Sequence, residues 1–205
     1  MAQNRIKNVV FDIGNVVVRW SPVDIIRLTF PDAKEINALA QSVFHSEIWL
    51  DLNKGLTTEQ ETKQQYQQVL GFSQQDTERL FHYTKQSLIL LYQSVELIKR
   101  VKQAGYGVYT LTDNVHEIVA YLKDTYDFWD LFDGEIVSAD LGVLKPQPEI
   151  YHALLEQYQL AANETVFLDD MPHNVAGAKA VGMAAIQFEN AEQGVAALKL
   201  LGLEF

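Results

Sequence analysis

Five short apolar runs recur along this chain of 205 residues, and most of them are continuously apolar rather than alternating. Such runs are typical of parallel strands whose two faces are both covered by helices. Helical segments separate the last four runs, which predicts right-handed strand–helix–strand crossovers in an open, doubly wound α/β sheet. The predicted strands are residues 9–12, 107–112, 135–138, 165–169 and 184–188.

The segment between the first two strands is far longer than the roughly dozen residues that a crossover needs. It carries helix start signals: Ser21 precedes Pro22, and Thr58 precedes Glu61 by the spacing of a capping box. Ser73 is a further N-cap candidate within the segment, and Ser94 is one in the helix before the second strand. We therefore predict a helical cap inserted at residues 21–87, with residues 1–20 and 88–205 forming the α/β core.

The charge and composition exclude several kinds of partner and chemistry. A formal net charge of −11 disfavours binding to nucleic acid or to an anionic membrane. The absence of cysteine excludes disulfides, thiolate zinc sites and thiol nucleophiles. No run approaches the ~20 apolar residues of a membrane-spanning helix, and residues 1–7 lack the apolar stretch of a secretory signal. The expectation is a cytoplasmic monomer or homodimer.

Carboxylates and a hydroxyl stand at the carboxyl ends of three predicted strands. Asp12 ends the first, Thr112 ends the second and is followed by Asp113, and Asp169 with Asp170 ends the fourth. Ligands of open α/β sheets bind beyond these strand ends, near the point where the strand order reverses. The sequence therefore predicts one polar site at this edge of the sheet.

A lysine follows the third predicted strand, and its charge bears on which cation the site holds. Lys145 precedes Pro146, which biases its backbone towards an extended conformation. Asp12, Asp169 and Asp170 would bring three negative charges against its one positive charge, and this excess is costly in a partly desolvated site. Oxygen ligands without any cysteine favour Mg²⁺ over Zn²⁺.

Four segments resemble, in order, the motifs of the haloacid dehalogenase-like (HAD) hydrolases. They are FDIGNV at 11–16, LTDN at 111–114, KPQPEIY at 145–151 and FLDD at 167–170. The resemblance implies a Rossmann-like core, and the helical insertion is similar to the family's cap. FHSEIW at 44–49 and NKGLT at 53–57 further resemble the subgroup that contains bacterial α-D-glucose-1-phosphate phosphatase and the N-terminal phosphatase domain of soluble epoxide hydrolase.

The same resemblance implies a role for each matched position. Asp12 would be the nucleophile that accepts the phosphoryl group as an acyl phosphate, and Thr112 and Lys145 would bind that group. Asp113 and Asn114 would lie in the substrate site. Mg²⁺ would be held by Asp12, the backbone carbonyl of Gly14, and Asp169, Asp170 or both. The implied activity is hydrolysis of a small phosphorylated metabolite, in particular a sugar phosphate such as a hexose 1-phosphate.

One position departs from the pattern of many HAD phosphatases. They carry a second aspartate two residues after the nucleophile as a general acid and base, whereas this chain has Gly14. The glucose-1-phosphatase subgroup resembles this pattern too, so glycine does not indicate an inactive enzyme, although it disfavours a phosphomutase. We expect either a leaving group that needs less protonation or an acid borrowed from the cap, with His45 and Glu47 as candidates, which would also place these two at the substrate.

Two other functions stay open at this point. A non-catalytic or regulatory binding protein could retain the same fold. A 2-haloacid dehalogenase uses the same kind of nucleophile on carbon, but dehalogenases need no metal, and their motif places an aromatic residue where Gly14 stands. Trp20 and Trp49 are candidates to line the cleft between cap and core.

Overall fold

The computed structural model describes residues 6–205, so most of the segment predicted to lack a secretory signal lies outside the described residues. The strands are β1 (Asn8–Phe11), β2 (Gly107–Thr112), β3 (Gly134–Val137), β4 (Thr165–Asp169) and β5 (Ala184–Gln187). The helices are α1 (Pro22–Thr29), α2 (Ile36–Phe44), α3 (Glu47–Asn53), α4 (Glu59–Leu70), α5 (Gln74–Gln86), α6 (Tyr92–Gln103), α7 (His116–Thr125), α8 (Ser138–Leu141), α9 (Pro148–Gln157), α10 (Pro172–Ala180) and α11 (Ala191–Leu200).

The strands form one parallel sheet in the order β3-β2-β1-β4-β5. From β1 the chain adds β2 and β3 on one side, then returns to add β4 and β5 on the other. The strand order therefore reverses between β1 and β4, which is where a doubly wound sheet binds its ligand. The predicted Rossmann-like fold is confirmed, with strand ends that differ from the prediction by one residue at β1, β3 and β5.

Alternate residues of the strands pack on opposite faces of the sheet. Val9 and Phe11 belong to an apolar cluster with residues of α6, α7 and α11. Val10, between them, packs in a second cluster with residues of α9 and α10. Because both faces are covered by helices, most strands are continuously apolar in their middle residues rather than alternating, as the sequence indicated.

Five helices, α1 to α5, fill the long segment between β1 and α6. The Ser21 side chain caps α1 with Pro22 at its first position, and Thr58 with Glu61 forms the capping box of α4. Ser73 forms another box at α5. The buried apolar residues of these helices belong to the cluster on the β1 face that includes Val9. A division of the chain into separate core and cap domains stays a prediction.

The helix predicted to begin after Ser94 begins earlier. Residue Tyr92 opens α6, and Leu91 is its N-cap residue, without a side-chain hydrogen bond. Ser94 is instead buried within the first turn. The N-cap prediction was wrong because Leu91 takes the N-cap position three residues earlier. Its backbone N–H donates to the carbonyl of Val17.

No helix within residues 6–205 has both the length and the apolar character needed to cross a membrane.

Candidate active site

The sheet brings Asp12, Thr112 and Asp169 to one edge, at the carboxyl ends of β1, β2 and β4. Asp12 is the first residue after β1, and its backbone N–H donates to the carbonyl of Leu168 in β4 at 2.9 Å. This bond extends the ladder one residue beyond the strand. All three side chains are buried. Pairing of β1 with β4 thus holds Asp12 and Asp169 together although they are far apart in the chain.

Lys145 is the cation at the centre of this edge. Its Nζ lies 2.9 Å from Oδ1 of Asp12 and 2.7 Å from Oδ2 of Asp169, and it donates to the carbonyl of Leu111 at 3.3 Å. The lysine side chain is 1% exposed. Its backbone N–H donates to Oδ1 of Asp113 at 3.0 Å, which fixes the loop before α9. The lysine side chain thus points inward from the proline-flanked loop, towards the carboxylates.

Asp12, Asp169 and Asp170 each offer a carboxylate oxygen, and these oxygens lie within 4.8 Å of one another. Asp169 is oriented by the backbone N–H of Met171 at 2.8 Å and by the Asn174 side-chain amide, which lies 3.1 Å from both carboxylate oxygens. Hard divalent cations prefer such oxygen sets, and the residues present therefore fit Mg²⁺.

Asn15 orients the third carboxylate, a residue that the sequence did not single out. Its Nδ2 donates to Oδ2 of Asp170 at 3.2 Å, and its Oδ1 accepts the backbone N–H of Trp20 at 2.9 Å. The backbone of Asn15 is left-handed, with φ of 53°. Asparagine adopts this conformation more readily than most residues. Asn15 also belongs to the matched motif FDIGNV, but the motif assigned it no role.

Negative charge exceeds positive charge at this edge of the sheet, because one lysine faces several carboxylates. Burial raises the pKa of Asp12, Lys145 opposes that rise, and the Asp169 charge adds to it, so that the pKa stands at about 8. Burial also raises the pKa of Asp113 and of Asp170. Burial lowers the pKa of Lys145, but the negative charges of Asp12 and Asp169 outweigh it, and the pKa is raised. Burial is thus the main cause of the raised carboxyl pKa values, and the several carboxylates around one lysine are the cause of the raised lysine pKa.

A cavity of about 210 Å³ opens beside the carboxylates, between the sheet edge and α2 and α3. Trp20 and Trp49 stack in it with ring centroids 5.9 Å apart and planes at 16°. Phe44 packs edge-on against both rings, at 5.3 and 4.9 Å. The residues that line it are Ile13, Gly14, Val18, Trp20, Phe44, Trp49, Leu50, Asn53, Leu88, Asp113, Asn114, Ile118 and Leu144.

The predicted substrate residues fall into two groups in the structure. Asp113 and Asn114 line the cavity, as does Gly14, whose carbonyl was predicted to bind the metal. His45 and Glu47 do not: both are exposed to solvent around the turn between α2 and α3. The motif FHSEIW that suggested them contributes its two aromatic residues to the cavity, because these face inward on the same turns. The idea that the cap lends an acid from His45 or Glu47 is not supported.

Ser138 is a second residue that the sequence did not single out. It is fully buried at the start of α8, where its hydroxyl donates to the carbonyl of Asn53 at 2.6 Å and accepts the backbone N–H of Asn114 at 2.9 Å. Next to this contact, Gly55 packs so closely that a Cβ there would lie 2.3 Å from the Ala139 carbonyl oxygen. Ser138 thus links the end of α3 to the loop after β2.

The chain matches the family model described as haloacid dehalogenase-like hydrolase over residues 6–182. A sesquiterpene phosphatase of Aspergillus oryzae is 29% identical over 180 residues, which are 88% of this chain and 88% of the relative. A D-ribitol-5-phosphate phosphatase of Bacteroides thetaiotaomicron is 27% identical over 199 residues, covering 90% of this chain and 93% of that protein.

Solved structures share the fold at lower sequence identity. A HAD-like hydrolase from Porphyromonas gingivalis superposes with a TM-score of 0.78 at 23% identity, over 98% of this chain and 99% of that one. A HAD family enzyme from Bacteroides thetaiotaomicron, in complex with magnesium and inorganic phosphate, has a TM-score of 0.74 at 22% identity, over 90% of this chain and 95% of that chain.

Proposed function

The chain belongs to the haloacid dehalogenase-like hydrolases, and on that premise we propose that it is a magnesium-dependent phosphatase of a small phosphorylated metabolite. The observation that carries the proposal is the buried ammonium of Lys145 between Asp12 and Asp169, with Asp170 beside them. Two similar proteins are phosphatases by name, and one neighbour of the same fold binds magnesium and phosphate.

In this proposal Asp12 is the nucleophile. One of its carboxylate oxygens attacks phosphorus, the bond from phosphorus to the leaving oxygen breaks, and the group remains on Asp12 as an acyl phosphate. Water then attacks that phosphorus, which releases inorganic phosphate and regenerates the carboxylate. Lys145 is placed to balance charge on the nucleophile and the transferring group, and the Thr112 hydroxyl stands at the adjacent strand end to donate to a phosphate oxygen.

Asp12, Asp169, Asp170 and the Gly14 carbonyl would hold the Mg²⁺. The ion would supply the positive charge that allows a phosphate dianion to approach a cluster of carboxylates, and it would polarise the phosphoryl oxygens. The chain's own contribution is to orient the ligands: Asn174 and the Met171 N–H fix Asp169, and Asn15 fixes Asp170.

Protonation of the leaving oxygen separates candidate substrates. Residue 14 supplies no carboxylate, and general acid help is worth about 10²–10⁴-fold in rate. A hexose 1-phosphate, the substrate predicted from motif resemblance, has an anomeric leaving oxygen that needs less protonation. The names of the two relatives, a sesquiterpene phosphatase and a ribitol-5-phosphate phosphatase, put alcohols of very different polarity on the same panel.

The decisive experiment measures phosphate release across a panel of phosphomonoesters with added Mg²⁺. We expect turnover that stops with EDTA and is lost in Asp12→Asn, whereas Asp124→Asn, an exposed aspartate of α7, keeps the parent rate. Metal-independent release of halide from a 2-haloacid would establish the dehalogenase instead. Ligand binding without turnover of any phosphate ester would establish the regulatory binding protein.

A further inference from the structure

The cavity beside the carboxylates differs sharply in character from the carboxylates themselves. Most of its lining residues are aromatic or aliphatic, among them the stacked pair Trp20 and Trp49 and the residues Leu50 and Ile118. Within residues 6–205, Asp113 is the only charged residue that lines it. The backbone of Gly14 lines it as well, so the cavity is continuous with the loop that follows Asp12. A phosphoryl group at Asp12 would direct its leaving group into this space.

Each polar side chain that lines the cavity has one of its two polar atoms bonded to the protein backbone. Nδ2 of Asn53 donates to the carbonyl of Trp49 at 2.8 Å. Oδ1 of Asn114 accepts the backbone N–H of Val115 at 2.9 Å, and Oδ1 of Asp113 accepts that of Lys145 at 3.0 Å. A sugar carries several hydroxyl groups that would each need a partner on entering the cavity, and an unpaired buried hydroxyl is costly.

Gly14 lines the cavity two residues after Asp12 and adds no side chain to it. A Cβ built on Gly14 would have the Trp20 Cβ as its nearest neighbour, at 3.8 Å. A side chain at this position would therefore extend toward the aromatic wall and take up cavity volume. Glycine at position 14 thus supplies neither a general acid nor a polar side chain at the entrance to this apolar cavity.

We propose that this cavity selects phosphomonoesters whose leaving group is apolar and about the size of one ring or a short branched chain. The inference rests on the proposed phosphatase function and replaces the sugar of that proposal by an apolar alcohol. The volume agrees, since an apolar cavity of ~150 Å³ holds benzene and this cavity is about 210 Å³. Burying such a group against Trp20 and Trp49 would supply binding energy in proportion to its apolar area.

A matched pair of substrates tests the proposal. Cyclohexylmethyl phosphate and glucose 6-phosphate each carry phosphate on a methylene attached to a six-membered ring, so their leaving oxygens are similar and the ring hydroxyls are the main difference. We expect kcat/KM to favour the cyclohexylmethyl ester by about 10²-fold, a ratio of the size that apolar pockets achieve against hydroxylated analogues. Equal values, or a preference for glucose 6-phosphate, would overturn the proposal.

Acetyl phosphate separates failure of this inference from failure of the proposed function. Its small acyl leaving group needs no cavity, so Mg²⁺-dependent hydrolysis that requires Asp12 reports on phosphoryl transfer alone. Turnover of acetyl phosphate without preference between the two ring esters would leave the phosphatase standing and remove the apolar substrate class. No Mg²⁺-dependent turnover of any of the three esters would overturn both.

Substitutions in the wall locate the preference. Trp20→Ala and Leu50→Asn change partly buried positions of the cavity, and each should lower the ratio between the two ring esters on the order of tenfold through lost apolar contact. Trp20→Phe should restore most of the ratio. Trp129→Phe, a tryptophan that does not line the cavity, should leave the ratio at the parent value. Thermal unfolding of each variant shows whether it is folded, and an unchanged ratio in both folded wall variants would contradict the proposal.

Discussion

Two clusters in this protein pair lysine with two carboxylates at nearly the same distances. At the sheet edge, Lys145 lies 2.9 and 2.7 Å from Asp12 and Asp169. Across α4 and α5, Lys63 lies 2.9 and 2.7 Å from Glu59 and Glu78. The lysine side chain is 1% exposed in the first cluster and 15% exposed in the second.

The directions of the pKa shifts distinguish these clusters. Burial raises the pKa of Asp12 to about 8 despite its lysine. Burial also raises the pKa of Glu59, but hydrogen bonds from Lys63 and Lys85 outweigh it, and the pKa is lowered. Glu59 thus has two cationic partners, whereas one lysine serves Asp12, Asp169 and Asp113. In the cluster of α4 and α5 the lysines balance the carboxylate charges. At the sheet edge the carboxylates outnumber the lysine, and this excess of negative charge favours binding of a further cation.

Removal of the central lysine should expose the largest difference. Lys145→Met leaves Asp12 and Asp169 buried without their cation, and we expect a loss of about 3–5 kcal/mol in the free energy of unfolding without Mg²⁺. Lys63→Met, the matched change in the cluster of α4 and α5, should lower the free energy of unfolding by about 1 kcal/mol or less. Denaturant unfolding measures both. Similar losses in the two variants would show that burial does not separate the clusters.

Added Mg²⁺ should stabilise the parent protein through the sheet-edge cluster alone. A ligand that binds only the folded state, at a hundred times its Kd, contributes about 2.7 kcal/mol. We expect Mg²⁺ to raise the unfolding temperature and EDTA to reverse the rise. Asp169→Asn should lose most of this response, while Glu59→Gln should keep it. A full response in Asp169→Asn would place the cation elsewhere.

A new carboxylate at residue 14 should increase the imbalance at the sheet edge and supply an acid. The site has space, because the nearest atom to a Cβ on Gly14 is 3.8 Å away. In Gly14→Asp we expect a loss of about 1–2 kcal/mol without Mg²⁺ from the added buried charge. Turnover of alkyl phosphates should rise on the order of tenfold through general acid help.

The uncharged variant Gly14→Asn is the control for this substitution, because it has nearly the same size. Gly14→Asn should show neither the loss of stability in the absence of Mg²⁺ nor the gain in the turnover rate of alkyl phosphates. If both variants behave alike in unfolding and in kinetics, the effect comes from volume in the cavity and not from the carboxylate.

The sequence predicted the sheet-edge cluster far better than the cavity. Asp12, Thr112 and Asp169 stand at the ends of apolar strands, and parallel pairing brings strand ends together whatever the details of packing. The cavity depends on which side of a short helix each residue faces. His45 and Glu47 were therefore placed at the substrate although they point to solvent, while Phe44 and Trp49 from the same motif line the cavity.

For a related reason, the sequence did not predict Asn15 and Ser138 as residues of the site. Asn15 bonds to the side chain of Asp170 and to the backbone of Trp20, and Ser138 bonds to the backbones of Asn53 and Asn114. No periodic pattern in the sequence reports such contacts. Helix caps could be predicted because the hydrogen-bond partner of each capping side chain lies only three residues further along the chain. Those of Ser21, Thr58 and Ser73 are all confirmed. The signal at Ser94 was wrong because Leu91 begins that helix.

The stability should also depend on pH with opposite signs in the two clusters, and the Glu59 contribution is the smallest effect that we expect. The lowered pKa of Glu59 means that its contribution, about 1 kcal/mol, is complete above its ordinary value of 4.5 and is lost as the pH falls through the lower folded value. The raised pKa of Asp12 means that the folded protein without Mg²⁺ takes up a proton as the pH falls below about 8, and this favours folding at lower pH.

Unfolding temperatures of matched variants between pH 8 and pH 3 would separate the two signs. Glu59→Gln should lose less stability than the parent below pH 4.5, while Glu96→Gln, at an exposed pair of α6, should follow the parent. Asp12→Asn without Mg²⁺ should gain less than the parent between pH 8 and pH 5, because it has no carboxylate to protonate. If Asp12→Asn and the parent gave parallel curves over that interval, the sheet-edge carboxylate would carry its ordinary charge, and the contrast between the clusters would rest on burial alone.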